Sequence, residues 1–321
     1  MNASEYIKIT KVLHTPADVN TLFYEDQAVA VVYFPQGLEK DHYTGVQTNI
    51  GAFYDQTNMA QTGNVKAALN QIVGMENTVV QGDTGSTNDV LSGSMQIADR
   101  TLFNPQMSTS NGLTMGFLFM FGTMFFTFAT IGMVPRLRLS GELGRIFEHG
   151  GTPGDLIIRL LPYGCCLLAS FALGLAILRV WGDLNFSGSS LAFLVTQVLY
   201  IAACGMLNLF MGWSAASPAL ASSRMILYIP EGFVWGGLAL PKFIFAKWVV
   251  LASHLFPLTW EFHFQRDIMA RGAGLLDISS VLGAFLIYMA AIALLLGRRF
   301  YKEREAYFQK KAQEGTRVLA V

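Results

Sequence analysis

Long apolar stretches without charged residues occupy much of the last two thirds of the chain. Residues 113–134 contain six phenylalanines and no charge, and residues 191–213 are likewise uncharged. A helix needs about 20 apolar residues to cross the hydrocarbon core of a bilayer. The pattern therefore predicts an all-α transmembrane bundle with five spans, at about residues 113–134, 156–180, 191–213, 225–240 and 279–297.

Residues 1–111 show a different pattern, with short apolar runs between polar segments. β-Branched and aromatic runs predict strands, and segments with helical spacing predict helices. The predicted strands are 28–33, 46–54 and 95–103, the predicted helices are 16–26 and 58–73, and the Gly/Ser/Asp-rich stretch 81–94 is a predicted loop. We therefore expect a separate α/β domain at 1–111, followed by a transmembrane domain at 112–321.

The composition is that of a membrane protein. Hydrophobic residues make up 52% of the chain and charged residues 14%, and the mean hydropathy is +0.41; soluble domains carry about 25% charged residues. The formal net charge is zero, but residues 1–111 hold 5 Lys/Arg against 11 Asp/Glu, and the remainder holds 17 against 11. This composition excludes a cytosolic or nucleic-acid-binding protein.

The basic residues between the predicted spans indicate an orientation. Residues 135–155 carry three arginines and the tail 298–321 carries seven basic residues, whereas residues 181–190 carry none. Short loops rich in Lys and Arg stay in the cytoplasm. We therefore expect a multi-pass protein of the bacterial cytoplasmic (inner) membrane, with residues 1–111 outside and the tail in the cytoplasm.

The start of the chain lacks a segment that would carry residues 1–111 across the membrane. Residues 1–19 contain no apolar core of a signal peptide and no span. Either the helix at 113–134 exports the preceding domain as a reverse anchor, or a further helix precedes residue 1. We favour the second explanation.

The sequence carries no motif for catalysis or nucleotide binding. It contains no GxxxxGK[ST] phosphate-binding loop, no GxSxG nucleophile and no HExxH zinc motif. The five histidines do not pair at metal-ligand spacing, and the three cysteines lie in apolar stretches. We therefore expect a protein that is not an enzyme and that holds no cofactor or metal of its own.

Two segments are neither spans nor ordinary loops. Residues 241–278 are too often interrupted by charge and proline for a lipid-facing helix, yet too apolar for a solvated loop. They predict an outer re-entrant hairpin of two short helices, protected by protein. Residues 136–163 predict a cytoplasmic amphipathic helix that leads into the next span.

Local sequences around these segments resemble those of a known family. Residues 102–105 (LFNP), 257–260 (PLTW) and 266–275 (RDIMARGAGL) are similar to motifs of the permease subunits of ABC-2 type exporters with a large periplasmic domain. The resemblance covers the chain from about Pro16 and lacks only the family's first transmembrane helix. The cytoplasmic segment 140–153 reproduces the family pattern in part.

The resemblance implies an exporter that moves hydrophobic or amphipathic compounds, such as drugs, lipids or peptides, out of the cell. In such a transporter a separate ABC ATPase subunit binds and hydrolyses ATP. Two permease subunits, identical or different, form the path within the lipid bilayer. The outside domain is a candidate contact for a periplasmic adaptor, and no nucleic acid is expected as a partner.

The resemblance also places the segment that contacts the ATPase. Its candidate residues are Glu142, Arg145 and Phe147. The alternative is a solvated interfacial helix, since basic amphipathic stretches often lie at a membrane surface.

Further candidate residues lie in the fourth predicted span and the outer hairpin. Glu231 is the single carboxylate within a predicted span, which makes it a candidate for the translocation path or a gate. The alternatives are a local pair with a neighbouring donor and a position at a helix end. The candidates for the outer hairpin or exit are Pro257, Thr259, Arg266 and Arg271, and the arginines could instead pair to stabilise the hairpin.

A second hypothesis belongs to a different functional class. A non-transporting membrane receptor or scaffold would display the same outside domain, but it would need no segment that contacts an ATPase. Co-purification distinguishes the two, because a permease should bring a soluble ATPase with it and a receptor should not.

Overall fold

The computed structural model describes residues 7–14, 18–44, 46–57, 59–84, 94–238, 242 and 245–319. A small sheet with its helices precedes a bundle of long helices. Several parts of the sequence-based predictions lie outside the described residues: the start of the predicted helix 16–26, the first residue of the predicted helix 58–73, most of the predicted loop 81–94, residues 239–240 of the predicted span 225–240, and residues 241 and 243–244 of the predicted hairpin.

The first domain is built on a three-stranded sheet in the order β1-β2-β3. β1 (Ala30–Tyr33) is antiparallel to β2 (Thr48–Asp55), and β2 is parallel to β3 (Met95–Leu102). The parallel pair is joined by the 26-residue helix α2 (Met59–Thr84), because a parallel connection requires a long crossover. The three predicted strands are confirmed, and the predicted helix 58–73 extends into the predicted loop.

The core of this domain lies between β2 and α2. Ala52 and Tyr54 alternate along β2 and pack with Leu69 of α2 in one buried cluster, as expected for a strand with one covered face. Two short helical segments complete the domain, α1 (Leu38–Tyr43) and a 3-10 turn (Thr21–Asp26) that covers only the end of the predicted helix 16–26.

Four helical stretches of the described chain are long and apolar enough to cross a membrane, at four of the five predicted positions. They are Leu113–Leu139, Leu161–Trp181, Ser190–Gly212 and Ser279–Gln313. These stretches correspond to α3 (Leu113–Thr130) with α4 (Met133–Leu139), α7 (Leu161–Trp181), α8 (Ser190–Gly212) and α13 (Ser279–Leu319), and the last helix continues beyond Gln313 to a length of 41 residues. α3 and α8 form the centre of the bundle, whereas α7 exposes most of its surface.

The fourth predicted span, at 225–240, is not among these long helices, and over its described part the chain is interrupted. The chain instead forms α9 (Pro218–Ser223), a 3-10 turn (Arg224–Leu227) and α10 (Ile229–Trp235). The break falls at Tyr228, whose φ of −146° is not helical. Pro230 follows in the first turn of α10, where a proline fits, so it begins a helix instead of interrupting one. The Tyr228 hydroxyl donates to Asn208 Oδ1 of α8 at 2.6 Å, which ties the break to the bundle.

The broken segment runs along α3 in the opposite direction. Pro218 packs against Gly132, just beyond the C-terminal end of α3, and Leu238 packs against Gly116 near its start. A helix rises 1.5 Å per residue, so these two contacts lie about 24 Å apart. A Cβ at Gly116 would overlap Leu238, which shows how closely the two segments approach.

The prediction of a single amphipathic helix over 136–163 is also wrong. After α4 the chain forms two short helices, α5 (Glu142–Glu148) and α6 (Pro153–Ile158), before α7 begins. Gly141 lies between α4 and α5, and Gly150 lies between α5 and α6, each with a φ of +73°. Glycine adopts this left-handed conformation without the strain that a Cβ would cause, so the chain turns at both positions.

The predicted pair of short helices in the outer hairpin is confirmed. They are α11 (Lys247–Ser253) and α12 (Pro257–Phe264), and α12 continues as a π-helical turn (Gln265–Ala270). Tyr288 of α13 donates from its hydroxyl to the carbonyl of Leu255, between the two helices, at 2.9 Å. Because Tyr288 lies about 14 Å along α13 from its start, the tip of the hairpin lies beside this part of α13, with the Leu255 side chain exposed.

Candidate functional site

Phe147 attaches α5 to the tail of the last helix. Its side chain is only 2% exposed, and its ring lies 5.1 Å from that of Phe300 and 5.7 Å from that of Tyr307. A Cβ at Gly144 would lie 3.0 Å from the Tyr307 ring, so the glycine permits this close approach. Phe147 therefore positions α5 from within, and it is not part of a surface that a partner could contact.

Glu142 and Arg145, the other two residues of this group, lie on the surface of α5. Arg159 donates from Nη1 to Glu142 Oε2 at 3.0 Å, and both side chains are partly exposed. Arg145 is exposed, and its guanidinium makes no hydrogen bond or ion pair within the described chain. Of the three predicted residues, Arg145 is thus the one whose charge is available to a partner.

A second contact joins the end of α5 to the tail of α13. Lys311 Nζ and the Tyr307 hydroxyl both donate to Glu148 Oε1, at 2.5 Å and 2.8 Å. The hydrogen bond from Lys311 lowers the pKa of Glu148, with a smaller effect from Tyr307, and the same bond raises the pKa of Lys311. The sequence predicts a cytoplasmic tail but does not show that it continues the last helix and supports α5.

The start of α6 is held by a capping box. The Asp155 carboxylate accepts a hydrogen bond from the backbone N–H of Thr152 at 2.6 Å and another from the Thr152 hydroxyl. These bonds, the backbone one first, lower the pKa of Asp155. They stabilise the first turn of a helix that is too short to be stable by itself.

Arg138 and Glu303 connect the ends of α4 and α8 to α13. The Arg138 guanidinium donates to both carboxylate oxygens of Glu303, at 2.9 Å and 3.0 Å, and to the carbonyl of Trp213 at 2.9 Å. The indole N–H of Trp213 donates to Glu303 Oε2 at 2.6 Å. This contact joins α4, α8 and α13, and our sequence analysis missed it. The one signal for it is an acidic residue within a basic tail.

Glu231 lies in the first turn of α10 and is partly buried. A carboxylate is favourable at the start of a helix, where the backbone N–H groups are unpaired. One of its oxygens, Oε2, is buried and accepts no hydrogen bond. Its assignment to the translocation path stays a prediction, and the helix start supplies a structural reason for an acidic residue here.

Two of the predicted hairpin residues shape the turn between α11 and α12. Pro257 occupies the first turn of α12, and the Thr259 hydroxyl donates to the carbonyl of Ser253 at 2.7 Å. The indole N–H of Trp260 donates to the carbonyl of His254 at 2.8 Å. All of these groups are buried or partly buried, so their geometry is that of a packed turn.

The two arginines after the hairpin are buried, and one of them attaches the hairpin to the first domain. Arg271 donates to Asp55 Oδ2, at the end of β2, at 2.5 Å from Nη2, and to Asp267 Oδ1 at 2.5 Å from Nη1. Arg266 is buried in the π-helical turn. Asp55 is not among the residues predicted from the sequence. The exit role of these arginines stays a prediction.

An apolar groove runs between α3 and α7 on the outside of the bundle, with a volume of about 470 Å³. Its walls are formed mainly by aromatic and aliphatic side chains, among them Phe121, Phe125, Phe171 and Leu167, and Cys166 lines one side. The groove can accommodate a hydrophobic molecule, a lipid chain or a side chain of a second subunit.

Comparison with known proteins identifies the family. No curated protein and no solved structure matches the chain. A family model described as ABC-2 family transporter protein matches residues 1–298, which is all of the chain except the tail of α13. Together with the helices that are long and apolar enough to cross a membrane, this match shows that the chain belongs to the ABC-2 family of transporter proteins, the membrane components that work with a separate ATPase.

Proposed function

We propose that the chain is the permease subunit of an ATP-driven exporter and that α5 and α6 receive its ABC ATPase. One observation carries this proposal: α5 is held from within by Phe147, whereas Arg145 on its surface has no partner in the described chain. A short helix with a buried apolar anchor and an exposed charge is suited to contact a second protein without losing its own position.

The contacts of α5 also provide a route for motion. A displacement of α5 would reach α13 through Phe147 and Phe300, whose rings are 5.1 Å apart. Arg138 and Glu303 would carry it to the ends of α4 and α8. Packed side chains and hydrogen bonds of this kind transmit a two-state movement between distant sites.

The test of ATPase binding compares two charge reversals. Arg145→Glu should reduce the amount of ATPase that co-purifies with the chain, because it places a negative charge on the proposed contact. Lys302→Glu is the matched control, since Lys302 is also exposed but lies on α13. Equal ATPase recovery with both variants and the parent would contradict the proposal, and absence of any ATPase from the parent would favour a receptor or scaffold.

Export requires residues 1–111 outside and the tail in the cytoplasm, an orientation that labelling can test. Without Cys165 and Cys166, the one remaining cysteine is Cys204, which is buried. In that background, a cysteine at exposed Met75 should react with an impermeant thiol reagent in intact cells, and one at Glu305 should react only after the cells are opened. The opposite pattern would contradict export from the cytoplasm.

The apolar groove supports hydrophobic or amphipathic compounds as substrates. Cys166 lines it and is a natural reporter once the neighbouring Cys165 is replaced by Ser. We expect an amphipathic substrate to slow the reaction of Cys166 with a membrane-permeant maleimide. A polar compound of similar size should not protect it, and equal protection by both would contradict this assignment.

A further inference from the structure

Three polar side chains meet in the interior between α8 and the outer hairpin. Glu261 of α12 is fully buried, Gln265 follows it in the π-helical turn, and Gln197 lies on α8. The Gln197 side-chain amide donates to Glu261 Oε1 at 2.7 Å, and the Gln265 amide donates to the same oxygen at 3.2 Å. The cluster therefore connects the hairpin to the centre of the bundle.

This cluster has more acceptor oxygens than donors to satisfy them. Glu261 Oε2, Gln197 Oε1 and Gln265 Oε1 are all buried and accept no hydrogen bond. Exchanging oxygen and nitrogen in either amide would not remove the deficit, because an amide oxygen would then face the carboxylate. A buried acceptor without a donor costs about 1–3 kcal/mol, and a buried bare carboxylate costs more.

The charge of the carboxylate is also uncompensated. Glu261 makes no ion pair within the described chain, and the two groups that hydrogen-bond it are neutral. The titratable side chains on the elements around it are Tyr200 and Cys204 of α8, Tyr228 before α10, Glu231 of α10, Lys242, Lys247, His254 and His263 of the hairpin, Arg266 and Asp267 of the π-helical turn, and Tyr288 of α13. Of the lysines, Lys242 donates to His263 Nε2 at 2.9 Å. α3 contributes none.

We propose that Glu261, Gln197 and Gln265 form a binding site for one monovalent positive charge, either a sodium ion or a proton on the carboxylate. One negative charge is neutralised by one positive charge, whereas a divalent ion would leave a surplus buried charge. Carboxylate and amide oxygens are the ligands that hard cations prefer. Occupancy of the site stabilises the contact between α12 and α8, and with it the position of the hairpin.

The experiment measures thermal unfolding of the purified full chain in lipid nanodiscs, with no transport involved. One series exchanges choline chloride for NaCl at pH 8 and constant ionic strength, and a second lowers the pH in choline chloride alone. We expect the Tm to rise by roughly 5 °C in at least one series, because a ligand that binds only the folded state stabilises it. A rise with sodium at pH 8 identifies the ion, and a rise confined to low pH identifies the proton.

Two variants connect the response to the cluster. Glu261→Gln keeps the shape and removes the charge, so it should abolish the sodium response and reduce the pH response. Glu305→Gln, at an exposed glutamate of α13, should respond like the parent. A parent chain whose Tm changes in neither series would overturn the proposal without any variant, and so would a response that Glu261→Gln leaves intact.

A spectroscopic measurement covers the case in which Glu261→Gln does not fold. The infrared band of a protonated carboxylic acid should be present in the parent at pH 6 without sodium and should disappear on adding sodium or raising the pH. A spectrum that lacks this band, in a chain whose Tm is independent of sodium, would overturn the proposal.

Discussion

Charged residues hold the two ends of the bundle in different ways. At the end that adjoins the first domain, which the sequence predicts to be the outer end, Arg271 bonds Asp55 and Asp267 with all three side chains at most 5% exposed. At the other end, the side chains of the pairs Glu142–Arg159 and Glu148–Lys311 are 34–59% exposed. The first arrangement lies in a nearly dry interior, and the second is in contact with solvent.

The difference in burial decides what each set of charges can do. Removing one partner of a buried pair leaves an uncompensated charge in a medium of low dielectric constant, so the outer junction has one favourable arrangement. Exposed pairs contribute little and are replaced by water at small cost. The outer junction is therefore a rigid attachment, whereas at the end that carries α5 the stability comes from Phe147 and the charges remain free to exchange partners.

The largest expected effect is at the outer junction. Arg271→Met should destabilise the chain by about 3–5 kcal/mol, because it leaves Asp55 and Asp267 buried without a positive partner. Thermal unfolding measures the loss, and Arg159→Met, which breaks an exposed pair, should cost less than about 1 kcal/mol. Adding Asp55→Asn and Asp267→Asn to Arg271→Met should restore part of the stability. Equal losses for Arg271→Met and Arg159→Met would remove the contrast between the two ends.

The next effect tests whether packing holds α5. Phe147→Ala should cost about 3–5 kcal/mol, since it opens a cavity between α5 and α13. Phe308→Ala is the matched control, because Phe308 is 41% exposed on the same helix tail and its removal should cost much less. The readout is the midpoint of thermal unfolding of both variants beside the parent. A small effect of Phe147→Ala would mean that the charges, and not the apolar contact, hold α5 in place.

An intermediate effect is expected at the contact between Arg138 and Glu303, where both side chains are about one third exposed. Glu303→Gln keeps the shape but weakens the two hydrogen bonds from Arg138, so a loss of about 1–2 kcal/mol is expected. Glu305→Gln, two residues further along and exposed, serves as the control in the same unfolding assay. Indistinguishable midpoints for the two variants would show that this contact behaves like a fully exposed pair.

The smallest effect concerns the pH dependence of Glu148 and Lys311. The pKa of Glu148 is lowered, so its contribution is present above the ordinary value of 4.5 and is lost as the pH falls through the folded-state pKa. The pKa of Lys311 is raised, so its contribution is present below 10.5 and is lost as the pH rises through its folded-state pKa.

Between pH 4.5 and 10.5, amide hydrogen exchange of residues 300–311 should therefore be slower in the parent than in Glu148→Gln. High salt should reduce this difference between the two proteins. A difference that is insensitive to salt would show that this pair is screened from solvent like the outer one.

Local sequence was sufficient for elements whose stability depends on their own composition. An uncharged stretch of about 20 apolar residues is stable in a bilayer wherever it occurs, and helices are found at 113–134, 191–213 and 279–297 as predicted. β-Branched runs likewise indicated the three strands. The family motifs at 257–260 and 266–275 correctly indicated a hairpin between the last helices.

The prediction failed where a distant residue decides the local conformation. Hydropathy predicted a fourth span at 225–240, but the chain breaks at Tyr228, whose hydroxyl donates to Asn208 of α8, twenty residues earlier. The single helix predicted at 136–163 failed for a different reason, because we did not interpret Gly141 and Gly150 as turns. The isolated polar residues Gln197 and Glu261 within apolar sequence were signals for a buried cluster that we did not use.

The sequence by itself determined that this protein lies in a membrane, that a small α/β domain precedes the helices, and which family it belongs to, because these properties depend on composition and short motifs. Only the tertiary structure decided which side of α5 is exposed. It also decided that Arg271 bonds Asp55, which lies 216 positions earlier in the chain, and that Gln197 bonds Glu261. The physical reason is that burial and hydrogen bonding depend on which helices pack together. Residues far apart in the chain determine that packing, and hydropathy along one segment does not record it.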